Sequence, residues 1–387
     1  MRMALTNGRV LLDEGFRRDV AVLVEGGRVA ALPAEADLPA GIARRDLGGA
    51  MLLPGFIDTQ VNGGGGVLFN DVPTAEGVAA IGRAHRRFGT IGFMPTLISD
   101  DIEKVALAIA AVDQAIADGV PGVLGIHIEG PFLNVDRKGI HAEDRIRRAD
   151  AGDLAVLTQA GRGRRMVTVA PEKVDPDQLQ TLVEAGLLVC AGHTDATYAV
   201  TRRALDQGLR GFTHLFNAMS QLGSREPGVV GAALSDEASW CGIIVDGAHV
   251  APVVLRLALR CSRPERFMLV TDAMPTVGAA SKSFVLQGKT IEVRGGVCVD
   301  DAGTLAGSDL DMATAVRNAV SMLGLDLAQA ARMASLHPAE FLGLGHELGR
   351  IAPGYRASFV LADDGINVLD SWIDGVSAKE EPARATG

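Results

Sequence analysis

The feature that most constrains this chain is a repeating order. Short apolar runs alternate with segments of helical periodicity over most of its length. Eight runs read as strands, at 55–60, 92–97, 122–129, 166–170, 187–193, 211–214, 240–246 and 267–272. Most are almost continuously apolar, as parallel strands covered on both faces are. Helix signals fall between them. Within 100–118, Val105, Ile109, Val112 and Ile116 share one helical face, and Asp100 with Glu103 has capping-box spacing. Asp175 opens a second helix, with Pro176 at its first position and Gln178 at its third. Eight parallel strands with intervening helices predict an α/β fold, a (β/α)8 barrel of the TIM type. An open doubly wound sheet is the competing topology. No G-x-G-x-x-G follows a strand, which weighs against it and against a dinucleotide-dependent oxidoreductase.

The two ends of the chain have a different character. Val20 to Val24 and Val29 to Leu32 flank the turn Glu25-Gly26-Gly27-Arg28, a hairpin signal. Residues 357–361 and 368–373 are strand-like, with turns at Asp363-Asp364-Gly365 and Asp374-Gly375. Chain termini often lie close together. Residues 1–53 and 350–387 are therefore expected to form one small β-sandwich domain, and 54–349 the catalytic barrel. A β-hairpin insertion is expected near 284–300.

Charge and cysteine usage narrow the partners. Lys and Arg number 37 against 47 Asp and Glu, so the net charge of −10 repels nucleic acid and anionic membranes. Aromatics, at 4%, are too few for base-stacking platforms. No window of 18 apolar residues suggests a membrane span, and Met1 to Gly8 lacks the apolar core of a signal peptide. Cys190, Cys241, Cys261 and Cys298 are widely separated, which fits a reduced, cytoplasmic protein.

Chemistry is expected where the strands end. They close on Asp58-Thr59-Gln60, His127-Ile128-Glu129, Gly192-His193, Thr213-His214, Asp246-Gly247-Ala248-His249 and Thr271-Asp272. Barrel enzymes build their sites at the C-terminal strand ends. Glu129, His193 and His214 supply one carboxylate and two imidazoles, a set that binds zinc while leaving positions open. Asp272 would stand beside the metal-bound water and accept its proton. Cys190 is expected to pack as a small apolar group. The stretch Gly63–Gly66 reads as a tight turn, His85 as a surface residue, and His337 and His346 as structural.

Several motifs resemble the N-acetylglucosamine-6-phosphate deacetylase family of the amidohydrolase superfamily. They are Pro54-Gly55-Phe56-Ile57-Asp58-Thr59-Gln60-Val61-Asn62-Gly63, His127-Ile128-Glu129-Gly130-Pro131-Phe132-Leu133-Asn134, Lys138-Gly139-Ile140-His141, Gly192-His193-Thr194 and Thr213-His214-Leu215-Phe216-Asn217-Ala218-Met219. Arg225-Glu226-Pro227-Gly228, Asp246-Gly247-Ala248-His249, Val270-Thr271-Asp272-Ala273 and Thr304-Leu305-Ala306-Gly307-Ser308 follow in family order. The resemblance covers nearly the whole chain. It implies hydrolysis of the acetamide of N-acetylglucosamine 6-phosphate, in amino-sugar recycling. N-acetylgalactosamine 6-phosphate or another amide is the alternative substrate, and an inactive metal-binding scaffold is a remote one. Intact Asp272 argues against the scaffold.

The resemblance also assigns roles. It implies one divalent metal per subunit on Glu129, His193 and His214: Zn²⁺ foremost, with Fe²⁺, Mn²⁺ or Co²⁺ suiting the same ligands. Asp272 would be general base and then general acid, and His141 would contact the acetyl carbonyl or a sugar hydroxyl beside Ile140. Backbone groups of Asn217 and Ala218, with Arg225 and His249, would hold the phosphate. Leu305, Ala306 and Gly307 would line the sugar site. In such a family Arg225 can reach the neighbouring active site of a homodimer. Many superfamily members carry His-x-His on the first strand, where this chain has Asp58 and Gln60. An amide is a poor ligand beside imidazole, so Gln60 would approach the metal through water.

Overall fold

The computed structural model describes residues 2–380. Met1 and the stretch 381–387 of the expected small domain lie outside the described residues. Eight parallel strands form the centre: β1 (Phe56–Val61), β2 (Thr90–Ile98), β3 (Gly125–Glu129), β4 (Arg164–Val169), β5 (Leu188–Ala191), β6 (Gly211–Phe212), β7 (Trp240–Ile243) and β8 (Phe267–Leu269). Each pairs with its sequence neighbour, in the order β1 to β8. The ladder closes through the segment after β8. Val61 bridges Ala273 in parallel, and the Asp272 N–H donates to the Gln60 carbonyl over 3.0 Å. A sequential, closing ladder is a barrel and not a doubly wound sheet. β1 to β3 are buried at every position, as strands covered on both faces must be.

Helix boundaries follow local chemistry. Asp175 precedes the helix Pro176–Glu184, and Gln178 Oε1 accepts from the Asp175 N–H over 3.0 Å, as its spacing predicts. The box expected at Asp100 and Glu103 does not form. The helix Ile102–Ala117 starts one residue late, after Asp101, so Glu103 is its second residue. The Asp100 carboxylate instead accepts from Asn70 Nδ2 and from the Asp101 N–H.

Both chain ends build a β-sandwich against the barrel. One sheet has four strands, in the order Arg28–Ala31, Val22–Glu25, Arg2–Thr6, Ala43–Asp46. The second has six: Val376–Ser377, Val368–Ile373, Phe359–Ala362, Met51–Pro54, Arg9–Leu12 and Gly15–Arg17. Leu5, Val22 and Val24 of the first meet Leu52, Phe359 and Trp372 of the second in one buried cluster. The insertion exceeds the expected hairpin. It is a four-stranded antiparallel sheet of β9 (Ser283–Leu286), β10 (Lys289–Arg294), β11 (Val297–Val299) and β12 (Leu305–Ser308). No helix of the described residues is long and apolar enough to cross a membrane.

Candidate active site

A cavity of about 340 Å³ opens at the C-terminal ends of the barrel strands. Small-molecule sites run from roughly 300 to 1,000 Å³. Glu129, His193, His214 and Asp272 line it together with His141, Ile140 and His249. Glu129 ends β3, while His193 and His214 stand two residues past the ends of β5 and β6. Burial is nearly complete for all three.

Their donor atoms meet at one point. His193 Nε2 lies 3.2 Å from Glu129 Oε1, His214 Nε2 lies 2.9 Å from that oxygen, and the two Nε2 atoms are 3.1 Å apart. Protons do not satisfy this arrangement well, because two imidazole nitrogens face each other across one carboxylate oxygen. A divalent cation fits it, since all three atoms then present lone pairs to it. His193 Nδ1 lies 2.8 Å from the Arg137 carbonyl, a contact that fixes the ring and commits Nε2 to the cluster. Burial opposes the charged form of Glu129, yet hydrogen bonds and charge from His193 and His214 hold its carboxyl well below the ordinary range.

Asp272 follows β8. Its Oδ1 accepts from Asn62 Nδ2 over 2.7 Å and from Gln60 Nε2 over 3.1 Å. Burial, then the charge of Glu129, raises its pKa to about 6. Gln60 also donates to both Glu129 oxygens over 3.3 Å. Its amide nitrogen thus spans the two carboxylates, which leaves Oε1 for a water. Asp58 lies beneath. Its carboxylate accepts from the Thr271 hydroxyl and from the backbone N–H groups of Gln60 and Thr271.

His141 packs on His193 with ring centroids 4.4 Å apart. Its Nδ1 sits 2.8 Å from Ser99 Oγ and accepts from the Ser99 N–H over 3.3 Å. A backbone N–H only donates, so Nδ1 must accept, and the neutral ring carries its proton on Nε2. That edge faces the cavity. Burial, then the neighbouring His193, lowers the pKa of His141 to about 3, so the ring stays neutral.

Of the expected phosphate contacts, Ala218 and His249 face the cavity. Among the described residues no acceptor takes the Ala218 N–H, and His249 Nδ1 is held by Asp246 at 2.6 Å, leaving Nε2. Asn217 lines the cavity too, but its own N–H donates to the His214 carbonyl. Arg225 is not brought there: it lies on an exposed loop outside the cavity lining. Leu305 and Gly307 line the cavity, whereas Ala306 does not. Successive residues of a strand face opposite sides, so Ala306 points away, among Leu68, Met274 and Leu286. His85 is likewise corrected. It is fully buried, with Nε2 2.8 Å from the Gly63 carbonyl, because it shares the inner helix face with Val78 and Ile81. Gly63–Gly64 and Val67–Leu68 form a small hairpin about the turn at Gly65-Gly66.

Asn62 and Ser99 carry no sequence-based assignment. Asn62 sits inside the motif that opens at Pro54, and Ser99 directly follows β2; a check of every strand end would have found Ser99.

A model described as the amidohydrolase family matches residues 51–382, and one described as the NagA composite domain matches residues 3–52. The chain is 42% identical over 377 residues to an N-acetylgalactosamine-6-phosphate deacetylase of Shewanella sp. (strain ANA-3), spanning 96% of this chain and 95% of the relative. It is 34% identical to an N-acetylglucosamine-6-phosphate deacetylase of Haemophilus influenzae, spanning 97% and 99%. The crystal structure of N-acetylglucosamine-6-phosphate deacetylase from Pasteurella multocida superposes with a TM-score of 0.94 at 34% identity, over 97% of this chain and 99% of that one.

Proposed function

The chain belongs to the amidohydrolase family, and from that footing we propose that it hydrolyses N-acetyl-D-glucosamine 6-phosphate to D-glucosamine 6-phosphate and acetate, in amino-sugar catabolism. The observation that carries this reading is the meeting of Glu129, His193 and His214 beside Asp272 in one strand-end cavity. Glu129, His193 and His214 would hold a divalent cation, with Zn²⁺ as the proposed ion, which when bound would polarise the acetamide carbonyl and acidify water. Asp272 takes the proton of the attacking water. His141 donates from Nε2 to the carbonyl oxygen as negative charge develops there. Asp272 then passes its proton to the amide nitrogen, which leaves as the amine. Gln60 holds Asp272 and Glu129 in register and meets the metal site only through water.

The Ala218 N–H and His249 Nε2 receive the 6-phosphate, with Asn217 shaping the same wall and Ile140, Leu305 and Gly307 packing on the sugar. Arg225 is exposed and outside the cavity of its own chain, so we assign it to the phosphate of a neighbouring subunit in a homodimer. Guanidinium suits phosphate through paired N–H donors. The free cysteines suit a reducing, cytoplasmic setting.

N-acetylgalactosamine 6-phosphate is the second candidate substrate, favoured by the Shewanella relative. Acetate release from both epimers, each with and without phosphate, tests the reading. Release from a phosphorylated sugar is expected, and the epimer with the higher kcat/KM names the substrate. Equal rates without phosphate would remove the clamp. No release from metal-replete protein would end the proposal.

A further inference from the structure

Besides lining the cavity through Leu305 and Gly307, the inserted sheet reaches the backbone on either side of His141 through one turn. β9 and β10 are joined by the two-residue turn Gln287-Gly288, with Leu286 paired to Lys289. Both turn residues have positive φ, 48° and 82°. Two-residue hairpins of this kind favour Asn or Asp followed by Gly. Gly288 meets that need, while a long side chain at Gln287 occupies a conformation that such residues rarely adopt.

The Gln287 side chain bridges two backbone segments. Its Oε1 accepts from the Ala142 N–H over 2.9 Å, and its Nε2 donates to the Ser99 carbonyl over 3.1 Å. One partner is a donor and the other an acceptor, and the amide in this orientation serves both. Ala142 directly follows His141, and Ser99 is the residue that engages His141 Nδ1. Gln287 therefore ties together the two segments that aim the His141 ring. Leu286, beside it, packs with Ile140 and Ile98 in one buried cluster.

We infer that Gln287 is a positioning residue: it latches the inserted sheet onto the Ser99 and Ala142 backbones and so holds the Nε2 edge of His141 toward the substrate carbonyl. The inference rests on the role proposed above for His141. A misplacement of about 1 Å in a catalytic group can cost up to ~100-fold in rate. Loss of one of several restraints on the ring is expected to cost about tenfold in kcat.

Gln287→Asn is the informative substitution. Asparagine suits the turn better than glutamine and keeps the amide, but it is one methylene too short to bridge. The hairpin should fold, thermal stability should hold, metal content should stay unchanged, and kcat should fall about tenfold with KM within twofold. In a His141→Ala background the same change should alter kcat less than twofold. Wild-type kinetics for Gln287→Asn, or an equal loss in both backgrounds, would overturn the inference. A second readout does not depend on the substrate assignment. With ¹⁵N-histidine labelling, Gln287→Asn should shift and broaden the His141 imidazole signals while leaving those of His337 in place, and unchanged His141 signals would refute the latch. If wild-type protein released no acetate, the deacetylase proposal would fail while this spectroscopic test still stood.

Discussion

His193, His214 and Asp272 have φ values of 48°, 32° and 53°, a region that residues other than glycine seldom occupy. Each such residue costs on the order of 1–3 kcal/mol and persists where its surroundings over-determine it. The three share one position in the fold, just past a strand end, where the chain must turn while its side chain still points into the barrel mouth. Residue identity was legible in the sequence, since Glu129, His193, His214 and Asp272 are the polar residues that close apolar runs. Their backbone conformation was not, because it comes from the closing of the ladder around them. Asp272→Asn should keep its metal, measured as ions per chain, while kcat falls by roughly 10²- to 10⁴-fold. The pH dependence has a definite sign. Asp272 must be a carboxylate to take a proton, so kcat/KM should rise with pH through a limb at about 6 or below, a nearby cation moving it only downward; a limb well above 6 would contradict the assignment. Gly192 is a further residue-scale constraint. A Cβ there would lie 2.7 Å from Thr168 Cγ2 and 3.1 Å from Thr213 Cβ. Gly192→Val should displace the next residue, His193, and lower the metal content of purified protein.

Helix starts were predicted best where several end signals agreed. At Pro176–Glu184, Asp175, Pro176 and Gln178 all point to one start, and the helix begins there. At Ile102–Ala117 two aspartates stand in series, and spacing alone chose the wrong one, because Asn70 draws the Asp100 carboxylate away from the helix. His85 failed for a related reason. Its neighbours Arg83, Arg86 and Arg87 suggested a solvated face, but only Arg83 and Arg87 are exposed while Arg86 is buried, and residues two apart on a helix face different ways. A capping box remote from the cavity gives a clean element-scale test. Asp326 Oδ1 accepts from the Gln329 N–H over 2.7 Å, and Gln329 Oε1 accepts from the Asp326 N–H over 3.1 Å, ahead of the helix Leu327–Ala334. Asp326→Ala should lower unfolding free energy by about 1 kcal/mol in denaturant titration, with kcat/KM unaltered.

At the scale of the whole molecule, the strand Met51–Pro54 joins the parts. It pairs with Arg9–Leu12 on one side and Phe359–Ala362 on the other, and β1 begins two residues after it ends. Metal binding should stabilise the barrel by mass action, since the ligand cluster exists only when β3, β5 and β6 are assembled. Removing metal with a chelator should lower Tm and abolish acetate release, and Zn²⁺ should restore both; an unchanged Tm would speak against a cation on Glu129, His193 and His214. The proposed dimer predicts complementation. Asp272→Asn and Arg225→Ala, each nearly inactive alone, should regain activity when their subunits are mixed, because one site of the heterodimer has a wild-type Asp272 and receives a wild-type Arg225. Absence of recovery in verified heterodimers would place Arg225 in its own subunit's site or outside the chemistry. The sequence by itself determined the barrel, the β-rich ends and the residue types at the strand ends, because hydrophobic period and turn chemistry are local and written in the order of residues. Only the tertiary structure decided that Ala306 faces a core, that His85 is buried, that Asn62 and Ser99 orient Asp272 and His141, and that Gln287 reaches across from the inserted sheet. Those facts depend on which distant segments meet, and no local period encodes that.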